Sequence, residues 1–200
     1  MQRMIFVSGP HGAGKTTLIK ALLTNNPQFM LNDIEVDFPK EIPSIKHMTH
    51  YEKTLVRMLY RVVRNHRARE MQEANPGRII LTDRGGICSL AYARVYLRMG
   101  WITEIEYSSL QSIAEKLQLA FPTVILNPPV ETIMQRLHAR TQQRSRIERD
   151  NIFHDEDSAE FVRMLWEEFE AYASNPNVLM LRDNSPHEIN RLSEWIGALA

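Results

Sequence analysis

Residues 4–17 read Met-Ile-Phe-Val-Ser-Gly-Pro-His-Gly-Ala-Gly-Lys-Thr-Thr, and the fold follows from this stretch. The apolar run Met4-Ile5-Phe6-Val7 has the character of a buried parallel strand. It stops at Ser8-Gly9-Pro10, where the backbone must turn. Gly9-Pro10-His11-Gly12-Ala13-Gly14-Lys15-Thr16 then fits the phosphate-loop spacing of glycine, four residues and Gly-Lys-Thr. The glycines let main-chain N–H groups approach a phosphate. Leu18 to Leu23 is helix-forming, and a helix opening near Gly14 directs its free N–H groups and positive dipole end at the same anion. The candidate polyphosphate contacts are therefore Gly9, Pro10, His11, Gly12, Ala13, Gly14, Lys15, Thr16 and Thr17. Lys15 is expected to reach the β- and γ-phosphates, and the Thr16 hydroxyl to ligate Mg²⁺.

The rest of the composition narrows the function class. Two hundred residues, 44% hydrophobic, suit one domain with a core of ordinary size. Lys and Arg total 24 and Asp and Glu total 24, a zero balance that argues against a dedicated nucleic-acid binder. One cysteine, Cys88, excludes an internal disulfide and suits a reducing compartment. No stretch has membrane-span length, and the expectation is a cytoplasmic protein with no membrane partner.

Farther along, Phe29-Met30-Leu31 marks a short second strand. The Pro-containing loop after it carries Glu35, Asp37 and Phe38, which are substrate contacts or solvated loop residues. Met48 to Ala74 reads as a long helix with Leu55, Met58, Leu59, Val62 and Val63 as its apolar face. Of its many arginines, Arg61 or Arg64 is the candidate to turn inward to an anion. Ile79-Ile80-Leu81-Thr82-Asp83 is an apolar strand ending in a carboxylate. Asp83 is either a Walker-B ligand beside Mg²⁺ or a cap for the helix that follows. Arg84 stands next to it, where a cation can clamp a phosphate.

The sequence then alternates. Helices are expected over Cys88–Met99 and Ile102–Leu119, the latter capped by Thr103. A strand at Phe121–Leu126 precedes a helix from Val130 to about Thr141. Arg136, Arg140 and Arg144 share one face if that helix continues, and Arg146 and Arg149 follow. This cationic cluster is either an exposed charged face or a lid over the phosphates. Asp155–Ser174 is expected to be an amphipathic helix. Val178–Leu181 is the last strand, and Ser185-Pro186-His187-Glu188 opens the last helix as a capping box. Repeated strand–helix units imply a three-layer α/β fold, a five-stranded parallel sheet with helices on both faces.

Four pieces, in order, resemble the thymidylate kinase and deoxynucleoside kinase group of P-loop kinases. They are Gly9–Thr16, then Ile80–Arg84 with Ser89, Ala91 and Tyr92. Asn127-Pro128-Pro129-Val130-Glu131 leads to Arg136 and Arg140, and Arg146-Ile147-Glu148 closes the series. The resemblance implies one kinase domain over 1–200, with a short arginine-rich lid at about 136–152. It implies that Arg84 holds the acceptor or the transferring phosphate and that Asp83 serves Mg²⁺ or acts as base. It implies that Arg136, Arg140 and Arg144 close over ATP, and that Arg64, Tyr92 and Arg146 contact the acceptor. The chain departs from thymidylate kinases at His11, where they carry an acidic residue, and at Ala93, where they often carry glutamine. Phe38, Tyr92 and Trp101 are the aromatic candidates for stacking on a base, or else core residues.

The expected activity is transfer of the γ-phosphate of ATP, with Mg²⁺, to a nucleoside or nucleoside monophosphate. A kinase of another small molecule and a nucleotide-binding switch or ATPase are the alternatives. Homodimerisation is left open by the sequence.

Overall fold

The computed structural model describes residues 4–32, 43–116, 122–142 and 153–198. Glu35, Asp37 and Phe38, and the lid residues Arg144, Arg146 and Arg149, lie outside them. The order of elements is β1 (Met4–Ser8), α1 (Lys15–Asn25), β2 (Phe29–Asn32), α2 (His50–Ala74), β3 (Ile79–Asp83), α3 (Gly86–Arg98) and α4 (Glu104–Lys116). These are followed by β4 (Thr123–Leu126), α5 (Val130–Gln142), α6 (Ala159–Glu170), β5 (Val178–Leu181) and α7 (Pro186–Ala198). Short 3₁₀ turns at Pro43–His47 and His154–Asp157 precede α2 and α6.

All five strands pair in parallel, in the order β2-β3-β1-β4-β5. Side chains alternate between the two sheet faces, as the strand pleat requires. Ile5 and Val7, Ile79 and Leu81, Val124 and Leu126, and Leu181 pack with α1 and α7 residues such as Leu18, Leu22, Leu192 and Ile196. The residues between them point the other way: Met4, Phe6 and Ile80 meet Ala68 of α2, and Ile125 meets α3, α4 and α6. Both faces are covered, so the strands are continuously apolar, as expected for β1. β1 has β3 on one side and β4 on the other, so the strand order reverses there. In such sheets the binding crevice opens beyond the carboxyl ends of the strands at this switch point. Ser8 and Asp83 end β1 and β3 there, and the register pairs Val7 with Asp83.

Local signals explain most boundaries. Thr49 and Glu52 form a reciprocal capping box that starts α2. Thr103 caps α4 as expected: the Glu106 N–H donates to its hydroxyl, and Glu106 accepts from the Thr103 N–H.

Three expectations are corrected. Leu59 and Val63 of α2 are 63% and 55% exposed, and the buried face is instead Lys53, Thr54, Met58, Arg61, Asn65 and Ala68. The helix expected from Asp155 begins at Ala159, because Ser158 caps it by accepting from the Phe161 N–H. Before α7 only half a capping box forms. The Glu188 N–H donates to Ser185 Oγ, but the Glu188 carboxylate pairs with Arg191, and the Ser185 N–H goes to Asp183.

Candidate active site

The phosphate loop runs from Gly9 to Gly14, between β1 and α1. Gly9, Gly12 and Gly14 all have left-handed φ values, +134°, +77° and +99°. At Gly9 the requirement is absolute, since a Cβ there would lie 2.2 Å from the Leu126 carbonyl oxygen. The loop is gripped from outside. Arg136 of α5 donates to the Gly12 and Ala13 carbonyls, and Asn184 Nδ2 donates to the Gly14 carbonyl at 3.2 Å. Lys15 is buried and its ammonium donates to the carbonyls of Gly9 at 3.1 Å and Pro10 at 2.6 Å.

A cavity of about 420 Å³ lies over the loop. Gly12, Gly14, Lys15, Thr16 and Thr17 form its floor, and Asp83 and Arg84 come in from the end of β3. Arg57 and Arg61 of α2, Tyr92 of α3 and Arg140 of α5 line it as well. The 3₁₀ turn before α6 supplies Glu156 and Asp157, and Phe153 comes from the position just ahead of it.

The capping alternative for Asp83 falls, because α3 starts after Gly85 and no side chain caps it. Asp83 Oδ1 is buried and has no hydrogen-bond partner among the described residues. Arg84, which lines the cavity, adopts φ +65°, strained for a residue with a side chain. Its Nη1 lies 3.9 Å from Cys88 Sγ, and that sulfur lies 4.0 Å from the Gly9 carbonyl oxygen. Burial raises the Cys88 thiol pKa, but Arg84, Arg61 and Lys15 outweigh it and hold the thiol below its ordinary value.

His11 and Tyr92 join the loop to α3. The Tyr92 hydroxyl accepts from the His11 backbone N–H at 3.0 Å and lies 2.9 Å from His11 Nδ1. On the other side, His11 Nε2 is 3.2 Å from Asp157 Oδ1.

The residue before Asp157 in the turn, Glu156, anchors a second network. Arg57 donates from Nη1 to Tyr96 Oη at 2.8 Å and from Nη2 to Glu156 Oε1 at 3.0 Å. Tyr96 donates to the same Glu156 oxygen. The Arg57 guanidinium also stacks 3.9 Å from the centre of the Phe153 ring. Burial opposes both charges, yet Tyr96 and Glu156 together hold Arg57 above the usual arginine value, and Arg57, with His11 and the Tyr96 hydrogen bond, holds Glu156 below the usual carboxylate value.

Of the residues expected from sequence, the cavity gathers His11, Gly12, Gly14, Lys15, Thr16, Thr17, Arg61, Asp83, Arg84, Tyr92 and Arg140. Arg136 sits outside, on the loop carbonyls. Arg64 donates to the Asp83 carbonyl at 2.9 Å and is not among the lining residues. Trp101 belongs to an aromatic stack with His50 and Phe161. Sequence reasoning missed Arg57, Phe153, Glu156 and Asp157. The available signal was the run of arginines on α2, from which only Arg61 and Arg64 were singled out.

A family model described as an AAA domain matches residues 4–169. Among solved structures, deoxyadenosine kinase from M. mycoides with products dCMP and a flexible dCDP bound superposes with TM-score 0.70 at 14% identity. The match covers 98% of this chain and 99% of that one. The dATP-bound form of the same enzyme gives 0.68 at 14% identity, with the same coverage. Thymidylate kinase from Candida albicans gives 0.63 at 17% identity, covering 98% of this chain and 92% of that one. At these identities the likeness is one of fold, and it agrees with the group the sequence motifs resemble. No curated protein matches the chain in sequence.

Proposed function

The chain belongs to the AAA domain family, and from that premise we propose that it is a phosphotransferase moving the γ-phosphate of ATP to a nucleoside or nucleoside monophosphate. Residues 1–200 act as one kinase domain in the cytoplasm, with 136–152 as its lid. The observation that carries the reading is the meeting in one cavity of the phosphate loop, the Arg84 guanidinium and the Asp83 carboxylate, whose Oδ1 has no hydrogen-bond partner among the described residues.

Each residue then has a task. The loop N–H groups and Lys15 hold the β- and γ-phosphates. Thr16 and Asp83 would hold Mg²⁺: both line the cavity, Asp83 Oδ1 has no partner among the described residues, and a hydroxyl with a carboxylate is a hard-oxygen donor set that suits that ion. When bound, Mg²⁺ neutralises charge on the polyphosphate. Arg84, Arg140 and the lid residue Arg144 stabilise charge as it moves to the leaving oxygen, and catalysis is positioning plus electrostatics. Arg136 orders the loop that binds ATP. Tyr92, Arg64, Arg146, Glu35, Asp37 and Phe38 serve the acceptor.

The test is ATP consumption by purified protein with Mg²⁺ and a panel of nucleosides and monophosphates, with products separated chromatographically. One acceptor should stimulate ADP formation and appear as its phosphorylated product. Hydrolysis independent of any acceptor, with no phosphorylated product, would identify a nucleotide switch or ATPase instead.

A further inference from the structure

Among the described residues, the large apolar side chains left in solvent are Leu59, Val63 and Ile105. An isolated one, such as Ile105, needs no explanation. Leu59 and Val63 are different. They stand one turn apart on α2, 63% and 55% exposed, and adjoin the half-buried Val56 and Tyr60. Spacings of three and four put all four on one stripe. It lies on the side of the helix away from buried Met58, Arg61 and Asn65.

The stripe ends in a charge on each side. Glu52 lies one turn before Val56 and Arg67 one turn after Val63, and both are exposed. Farther out, Lys46 precedes the helix, and Glu70 and Glu73 lie near its end, all of them exposed. The series along the stripe is therefore positive, negative, apolar, positive, negative. Turned end for end, it meets itself with every sign opposed.

We infer that this stripe is the contact between two copies of the chain, with α2 packed antiparallel on its mate about a two-fold axis beside Leu59 and Tyr60. That arrangement sets Val56 against Val63 and Glu52 against Arg67, and each contact occurs twice, as a self-complementary patch requires. A surface meant for a different protein has no reason to carry opposite charges at equal distances from its own centre. The same helix carries Arg57 and Arg61 to the cavity, so pairing braces that wall in both copies. The inference stands apart from the kinase reading, since it needs no ligand. One helix pair reaches only the lower part of the about 1,200–2,000 Å² that stable interfaces bury, so the dimer should be reversible.

Sedimentation equilibrium of the ligand-free chain, from about 1 to 200 µM, tests this. Wild type should pass from monomer toward dimer across the range. Leu59→Glu puts like charges beside the two-fold axis and should weaken association about a hundredfold or more. Ile105→Glu, also at an exposed position but off the stripe, should leave it within about twofold. Arg67→Glu should weaken it about tenfold, because like charges then face each other. Adding Glu52→Arg to Arg67→Glu restores opposite charges and should recover most of the lost affinity. Glu52 also closes the capping box of α2, so changing it can only harm the helix, and a recovery reports the pairing itself.

A wild type that stays monomeric throughout would overturn the inference, and would leave the face to another segment of this chain or to a different protein. A dimer indifferent to Leu59→Glu would overturn it by placing the contact elsewhere. So would a folded double variant that recovers nothing. Circular dichroism checks folding, and each arm decides the matter if the other does not fold.

Discussion

Two residues at the carboxyl ends of neighbouring strands define what the crevice can do. Gly9 has no substitute, because its backbone lies in the left-handed region and a Cβ would collide with the Leu126 carbonyl. Gly9→Ala should lower stability by about 1–3 kcal/mol or more, the scale of one strained residue. It should also abolish nucleotide binding, measured by thermal unfolding with and without ATP. Asp83 behaves differently. It caps no helix and its Oδ1 has no partner among the described residues, so folding asks little of it. Asp83→Asn should leave the melting temperature within a few degrees of wild type while phosphoryl transfer falls about a hundredfold or more, a scale typical of a lost electrostatic contact. Comparable losses in both measurements would return Asp83 to a structural role. Both residues were legible in the sequence, since glycine spacing and a carboxylate closing an apolar run are local signals.

At the scale of elements, legibility declines. Periodicity located α2 and placed Met58 and Leu55 on the core side, but it misplaced the rest of the face, since Leu59 and Val63 are exposed and Arg61 and Asn65 are buried. A helix that roofs a polar cavity buries its guanidinium groups, and a hydropathy pattern reads those as surface. The partner of Arg57 lies 99 positions away in a 3₁₀ turn, and no sequence spacing announces such a pairing. That buried pair has a pH signature. Glu156 titrates below the usual carboxylate range in the folded chain. Its stabilisation is therefore complete above the unfolded value of about 4.3 and is lost as pH falls through the folded value. Glu156→Gln should cost about 3–5 kcal/mol at pH 7, because it leaves Arg57 buried without its counter-charge. At pH 3 the difference from wild type should shrink, as denaturant melts at both pH values will show. A constant difference would mean that Glu156 acts by packing alone.

For the whole molecule, the fold was the most legible feature: alternating strands and helices behind a phosphate loop leave few parallel-sheet topologies open. The strand order itself was not legible, because which neighbours flank β1 depends on packing across the sheet. If the crevice holds ATP with Mg²⁺, the native state gains free energy by mass action. At a hundred times the dissociation constant that is about 2.7 kcal/mol, and the melting temperature should rise by several degrees. Lys15→Ala should show little of this rise.

The pairing of Val7 with Asp83 acts as a ruler for the site. Side-chain direction in a strand has parity, so deleting one residue from β1 would exchange its two apolar sets between the helix layers. The same deletion would slide the loop by about 3.3 Å against the carboxylate of β3, farther than any metal–oxygen bond can stretch. Length variation along this chain should therefore fall in its connections and spare β1, where one miscounted residue would undo core and chemistry together.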